Sequence, residues 1–201
     1  MGDRPTIHVI DDDAAMRDSL AFLLDVNGYK ALLHESANAF LEQASSGTVA
    51  CVVSDIRMPG MNGIELVRRL KSRGSSSPVI LITGHGDVAL AVEAMKAGAA
   101  DFIEKPFDDA AILEAIQSAL RAGPAVRDDT GKKEAEARLS ELSPREHDVL
   151  RGLVAGKINK VIAHDLNISP RTVEVYRANL MAKTGARSMS ELMRIALAAG
   201  L

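Results

Sequence analysis

The chain contains no tryptophan, four phenylalanines and two tyrosines. So few rings argue against nucleobase binding by aromatic stacking, which needs a row of exposed aromatics. The single cysteine, Cys51, excludes an internal disulfide framework. Within Ala-Cys-Val-Val it reads as a small buried hydrophobe, and a reducing, cytoplasmic setting is expected. No apolar run approaches the roughly 20 residues of a membrane span, so no membrane partner is expected. The opening Met-Gly-Asp-Arg-Pro leads directly into an apolar segment and lacks the features of a signal peptide.

The 201 residues suffice for one large domain or two small ones. A formal net charge of −3 conceals an asymmetry. Residues 1–138 carry 15 Lys and Arg against 21 Asp and Glu, a net of −6; residues 139–201 carry 9 against 6, a net of +3. The basic end is suited to an anionic partner, the acidic end to a different one.

Apolar runs and helical patterns alternate from the N-terminus. Thr6–Ile10 precedes a helix over Ala14–Asn27, and Lys30–His34 precedes one over Ala37–Ala44. Val49–Ser54 precedes Gly63–Ser72, Val79–Thr83 precedes Val88–Ala97, and Asp101–Glu104 precedes Asp109–Arg121. Five strand-plus-helix units predict an α/β fold, a parallel doubly wound sheet of flavodoxin-like order 2-1-3-4-5, over residues 1–122. Residues 123–138 are polar, contain breakers and read as a linker, with Glu134–Leu139 able to add a helical turn or two. Residues 139–201 read as wholly helical. Ser143-Pro144-Arg145-Glu146 supplies a capping box and a Pro at the first helical position, and Ser169-Pro170 repeats the cap-and-Pro start. Asn159 is expected to cap a short helix to about Leu166, Gly185 to end the longer one, and Ser188 or Ser190 to open the last.

Asp11 and Asp12, Asp55 and Lys105 lie just past the ends of the first, third and fifth runs, and Thr83 just past the apolar stretch Pro78–Ile82 of the fourth. Ligands of open α/β sheets bind beyond the carboxyl ends of the strands, so these side chains are expected to converge. A carboxylate attacks phosphorus when a cation offsets the charge on both partners. Asp55, alone at the switch point, is the candidate nucleophile. Asp11, Asp12 and Asp55 with the backbone carbonyl of Arg57 would hold Mg²⁺ (or Mn²⁺), which keeps several waters and needs few carboxylates. Lys105 would offset charge on the phosphoryl oxygens and Thr83 would donate a hydrogen bond to them. Taken singly, Asp11-Asp12-Asp13 is also an ordinary helix start with solvated charge, Asp13 being the cap. Phosphatases with an Asp nucleophile need a second Asp two residues on; Arg57 stands there, against a turnover enzyme.

The Asp-Asp-Asp run, Ser54-Asp55-Ile56-Arg57-Met58-Pro59-Gly60-Met61-Asn62-Gly63, Thr83-Gly84-His85-Gly86 and Lys105-Pro106-Phe107 resemble the receiver domain of two-component response regulators. The resemblance implies that Asp55 is the phospho-acceptor from a sensor histidine kinase and that the Lys105–Pro106 peptide is cis. Phe102 falls at the family's aromatic switch position, with a plain core residue as the alternative. Phosphorylation would draw Thr83 toward Asp55 and turn Phe102 inward, reshaping the face made by Val88–Gly98, the fifth strand and Asp109–Arg121 for homodimer formation.

In the basic end, Asn159–Leu166 and Pro170–Thr184 have the lengths of a helix-turn-helix, the second helix reading the major groove. Val173, Tyr176, Leu180 and Thr184 share its inner face, while Arg171, Glu174, Val175, Ala178 and Ala182 point outward. Arg171 or Glu174 can read a base, and Val175 or Ala178 can pack on a thymine methyl. Lys160, Thr172 and Lys183 suit phosphates, which position without specifying. A small helical interaction module is the other reading of this pattern, and Arg177 suits a snorkelling structural role as well as DNA.

Leu142-Ser143-Pro144-Arg145-Glu146 and Ile168-Ser169-Pro170-Arg171-Thr172-Val173-Glu174-Val175-Tyr176-Arg177-Ala178-Asn179 are similar to the LuxR-type helix-turn-helix, with Tyr176 where many members have His. The resemblance adds Asn159 and Asn179 to the DNA-facing set and implies double-stranded promoter DNA and RNA polymerase as partners. Within this class the runs Gly84–Lys96 and Ser169–Asn179 look most like the FixJ-type regulators, which answer an oxygen-sensing kinase and activate microaerobic and nitrogen-fixation genes. The expectation is a phosphorylation-dependent activator; a phosphate-independent DNA binder is the alternative, and a Mg-dependent phosphatase a remoter one.

Overall fold

Apolar runs become strands because both faces of a parallel sheet are covered. The computed structural model describes residues 4–43, 49–84, 88–122 and 129–201. The sheet comprises β1 (Thr6–Ile10), β2 (Lys30–His34), β3 (Cys51–Asp55), β4 (Val79–Thr83) and β5 (Asp101–Glu104), all parallel, in the expected order β2-β1-β3-β4-β5. Every residue of β3 and β4 is buried, whereas β2, an edge strand, buries only His34. Asp55 and Thr83 are the last residues of their strands rather than the first beyond them, because the ladder continues through Asp55↔Ile82 and Thr83↔Glu104.

The intervening helices are α1 (Ala14–Val26), α2 (Ala37–Gln43), α3 (Gly63–Ser72), α4 (Val88–Ala97) and α5 (Asp109–Ala122). Alternation along the strands divides the core. Ile7, Val9, Cys51, Val53, Ile80 and Ile82 meet Leu20 and Leu24 of α1 and Ile112 and Ile116 of α5. His8 and His34, one residue out of phase with that set, lie on the opposite side with a hydrogen bond of 2.9 Å between His8 Nδ1 and His34 Nε2, their rings nearly parallel and both edge-on to Phe40 of α2. Asp13 caps α1 by accepting from the Ala15 N–H at 2.9 Å, and Asn62 and Glu65 close a capping box on α3. The Lys105–Pro106 peptide is cis.

A second group of helices follows: α6 (Asp129–Ser140), α7 (Pro144–Val154), α8 (Asn159–Leu166), α9 (Pro170–Thr184) and α10 (Met189–Ala198). The described residues divide into two compact units, 4–84 with 97–122 and 88–96 with 129–201. Helix α6 occupies most of the stretch read as linker. Its buried Ala135 and Leu139 are one turn apart and α6 packs against α10. Residues 123–128 of that linker, Ala44 of the second expected helix and His85-Gly86 of the Thr83 motif lie outside the described residues.

Ser143 and Glu146 form the expected capping box, Ser169 and Ser188 cap α9 and α10, and Gly185 ends α9 at φ 66°. Asn159 is not a cap. Ile158 takes the extended cap conformation with no side-chain bond, and Asn159 is the first helical residue. The α8–α9 turn begins at Asn167, whose φ of 55° is left-handed, a conformation that Asn tolerates better than most residues.

The paired imidazoles make the sheet unit acid-sensitive. Burial, then the neighbouring His8, lower the His34 pKa from 6.5 to about 4. Below pH 6.5 the unfolded chain binds a proton that native His34 refuses. Stability is therefore full above that pH and falls by up to about 1.4 kcal/mol per unit until the native group titrates. In an NMR titration the His34 ring should stay neutral at pH 5; a midpoint near 6.5 would contradict the assignment.

Candidate functional site

Register dictates which side chains meet. Ile10 pairs with Ser54, so Asp11 and Asp55 stand at one level on neighbouring strands. Asp55 pairs with Ile82, placing Thr83 one step beyond it, and Thr83 pairs with Glu104, placing Lys105 one step beyond that. Four of the five predicted residues therefore come together at the carboxyl edge. Lys105 Nζ donates to Asp55 Oδ1 at 2.6 Å and to Asp11 Oδ2 at 3.4 Å. The backbone N–H of Arg57 donates to Asp55 Oδ2, and that of Asp13 to Asp11 Oδ1 at 2.9 Å. Thr83 is 2 % exposed, and its Oγ1 has no hydrogen-bond partner among the described residues.

Asp12 is exposed, whereas Asp11 and Asp55 are buried. No three acidic, His or Cys side chains among the described residues form a ready cation cage. The expected set of three carboxylates is a buried pair bridged by Lys105, with an exposed third residue beside Asp11 in sequence. The chemistry still fits Mg²⁺, which one or two carboxylates, a carbonyl and waters can hold. Burial raises the Asp11 pKa, and nearby Asp55 adds to the rise, while the Asp13 N–H and the Lys105 charge offset part of it. For Lys105 burial works against the ammonium, but bonding to Asp55 and the charges of Asp55 and Asp11 outweigh it, so its pKa lies above the usual value.

Two supports were not legible as functional in the sequence. Arg17 Nη1 donates to the Asp11 carbonyl at 2.7 Å. Helical side chains lean toward the N-terminus, so a basic residue in the first turn after an acidic loop was the available signal. Gly63 lies against Asp55: a Cβ there would sit 2.5 Å from the Asp55 carbonyl oxygen and 2.9 Å from Leu81 Cδ2. Its N–H closes the loop by donating to the Ile56 carbonyl at 3.0 Å. Phe102 is half-buried on β5 beside Leu81 of β4.

In the helical unit α9 buries Val173, Leu180 and Thr184 and exposes Arg171, Glu174, Val175, Ala178, Asn179 and Ala182, the division expected. Val175 is 55 % exposed. Lys160 is exposed on α8. Three other DNA-facing candidates have partners inside the domain. The Thr172 hydroxyl bonds the Ser169 cap at 2.8 Å, Asn159 Oδ1 accepts from Arg177 Nη1 at 3.1 Å, and Lys183 Nζ donates to Glu146 Oε2 at 2.7 Å. Arg177 thereby takes a structural role, tying α9 to the first turn of α8. Lys183 and the Ser143 N–H lower the Glu146 pKa from 4.5 to about 2.

Comparison with known proteins matches both units. Residues 7–117 match the response regulator receiver domain, and residues 140–196 match the LuxR family of bacterial regulatory proteins. This chain is a two-component response regulator with a LuxR-type output domain. The regulator is 55 % identical over 196 residues to the transcriptional regulatory protein FixJ of Bradyrhizobium diazoefficiens, covering 97 % of this chain and 96 % of that one. It is 54 % identical over 198 residues to FixJ of Rhizobium meliloti, covering 97 % and 96 %, and 39 % identical over 197 residues to the response regulator TodT of Pseudomonas putida, covering 97 % and 87 %. The crystal structure of full-length FixJ from B. japonicum matches with a TM-score of 0.59 at 53 % identity, covering 99 % of this chain and 98 % of that one.

A response regulator with this output domain is a DNA-binding transcription regulator rather than an enzyme, and its class implies a histidine kinase as partner. No helix among the described residues is long and apolar enough to cross a membrane.

The Lys105 bridge sets up a competition between cations. An ammonium 2.6 Å from Asp55 opposes a second positive charge there. Lys105→Ala should bind Mg²⁺ severalfold more tightly, measured by calorimetric titration, yet accept a phosphoryl group more slowly; weaker Mg²⁺ binding would contradict the bridge.

Proposed function

We propose that Asp55 takes a phosphoryl group from a histidine kinase, and that this modification promotes dimerisation and sequence-specific binding to promoter DNA to activate transcription. The observation that carries the reading is the orphaned Thr83 hydroxyl at the end of the strand beside Asp55. A buried hydroxyl without a partner is costly. A phosphoryl oxygen on Asp55 would supply the acceptor that Thr83 lacks.

In the transfer, an Asp55 carboxylate oxygen attacks phosphorus while the bond from phosphorus to the kinase imidazole nitrogen breaks, its electron pair leaving with the nitrogen. Asp11, Asp12, Asp55 and the Arg57 carbonyl would hold Mg²⁺, which when bound neutralises charge on the phosphoryl oxygens. Lys105 exchanges its bond to the Asp55 carboxylate for one to a phosphoryl oxygen. The Arg57 N–H fixes the second carboxylate oxygen and so orients the first. Thr83 then moves toward the phosphoryl group and vacates space next to β5, into which Phe102 turns.

The face carrying β5 and α5 then pairs with its counterpart in a second copy, setting two α9 helices about one DNA turn, roughly 34 Å, apart. Arg171 and Glu174 read base edges, Val175 and Ala178 pack on thymine methyls, and Lys160, Asn159, Thr172 and Asn179 contact the backbone or flank it. Bound regulator recruits RNA polymerase. Similarity to FixJ along nearly the whole chain supports microaerobic or nitrogen-fixation genes as the targets.

Two variants test the scheme. Treated with a small phosphodonor, wild type should dimerise and footprint promoter DNA more tightly, at a stated salt concentration. Asp55→Ala should do neither, and a gain in either property would sink the proposal. Thr83→Ala should still incorporate phosphate but fail to dimerise in sedimentation measurements; retention of both would remove Thr83 from the relay.

A further inference from the structure

The recognition helix is clamped at two points by polar contacts. Near its middle, Arg177 holds Asn159 at the start of α8, and at its last turn Lys183 holds Glu146 at the start of α7. The second clamp is the tighter one. Glu146 is 3 % exposed, and the same oxygen, Oε2, accepts from the Ser143 N–H at 2.7 Å and from Lys183 Nζ at 2.7 Å. Lys183 also reaches the Glu141 carbonyl at 3.5 Å while its own side chain stays part-exposed.

A phosphate contact would draw the ammonium away from Glu146 Oε2 and leave the Ser143 N–H as that oxygen's remaining partner. The clamp therefore competes with any phosphate for Lys183. We propose that Lys183 is a positioning residue for DNA recognition: its bond to Glu146 fixes the last turn of α9 against the start of α7 and so sets where Arg171, Glu174 and Val175 lie against the bases. The inference rests on α9 being the reading helix. Base-edge hydrogen bonds tolerate little displacement, so loosening this clamp should cost specificity before it costs general attraction to DNA.

Salt dependence separates the two roles. Removing one phosphate contact reduces the slope of log K against log[salt] by about 1. The probe is a duplex selected by the phosphodonor-treated full-length protein from a random-sequence pool, compared with a scrambled duplex of equal length. Lys183→Met should lower the selected-to-scrambled affinity ratio by roughly tenfold, the scale of one base contact, with the salt slope unchanged. Glu146→Gln combined with Lys183→Met should restore the ratio, because the introduced amide oxygen still accepts from the Ser143 N–H and no charge is stranded. Lys160→Met should do the opposite of Lys183→Met, reducing the slope and leaving the ratio intact.

A reduced slope for Lys183→Met, with no rescue by the double variant, would overturn the proposal. Should Lys183→Met fail to fold, the double variant decides by itself: a wild-type slope and ratio support positioning, and a reduced slope overturns it. If the wild type selects no duplex, the DNA reading fails, and hydrogen exchange still tests the clamp. Amides of Leu180–Gly185 should exchange faster in Lys183→Met and recover in the double variant; unchanged exchange would overturn the clamp itself.

Discussion

Two buried carboxylates sharing one ammonium organise the sheet unit. Asp11 and Asp55 are brought level by the pairing of β1 with β3, and at that distance their charges repel. Lys105, delivered by β5 two strands further along, resolves the conflict with a 2.6 Å bond to one and a 3.4 Å bond to the other. On the reading proposed above, a phosphoryl group on Asp55 would replace that bond and redistribute its partners, and the groups placed to respond, Lys105 and Thr83, come from two further strands.

The helical unit uses an ion pair differently. Glu146 and the part-exposed Lys183 join the start of α7 to the last turn of α9, and the same carboxylate finishes a helix cap. On the proposed reading the two ion pairs serve opposite ends: one is to be rearranged, the other to stay fixed.

The sheet was legible because β3 and β4 are buried on both sides and so appear as unbroken apolar runs, whose ends could be read to within a residue. Those ends located Asp11, Asp55, Thr83 and Lys105 without any knowledge of packing. Asp12 illustrates the limit, since adjacency in sequence does not say that Asp11 is buried and Asp12 exposed. Helix α6 was hidden for another reason. It has few apolar anchors, Ala135 and Leu139 among them, in a polar stretch with breakers upstream, and its burial depends on α10, at the far end of the helical unit. Asn159 misled because its amide, a good cap by type, is spent on Arg177 instead. Lys183 has a partner that its position does not announce: a lysine near the end of a basic helix suits a phosphate, and its bond to Glu146 becomes visible only in the fold.

The contact at Gly63 gives the acceptor a portability problem. Because only hydrogen fits between the first residue of α3 and the Asp55 carbonyl, the aspartate and the helix after it form one mechanical piece, locked further by the bond from Gly63 to Ile56. A designer transplanting the acceptor to another parallel sheet would have to move the whole stretch 55–63 with the start of its helix. Swapping in a lone carboxylate at a strand end would reproduce the charge but not the angle at which it meets an incoming phosphorus.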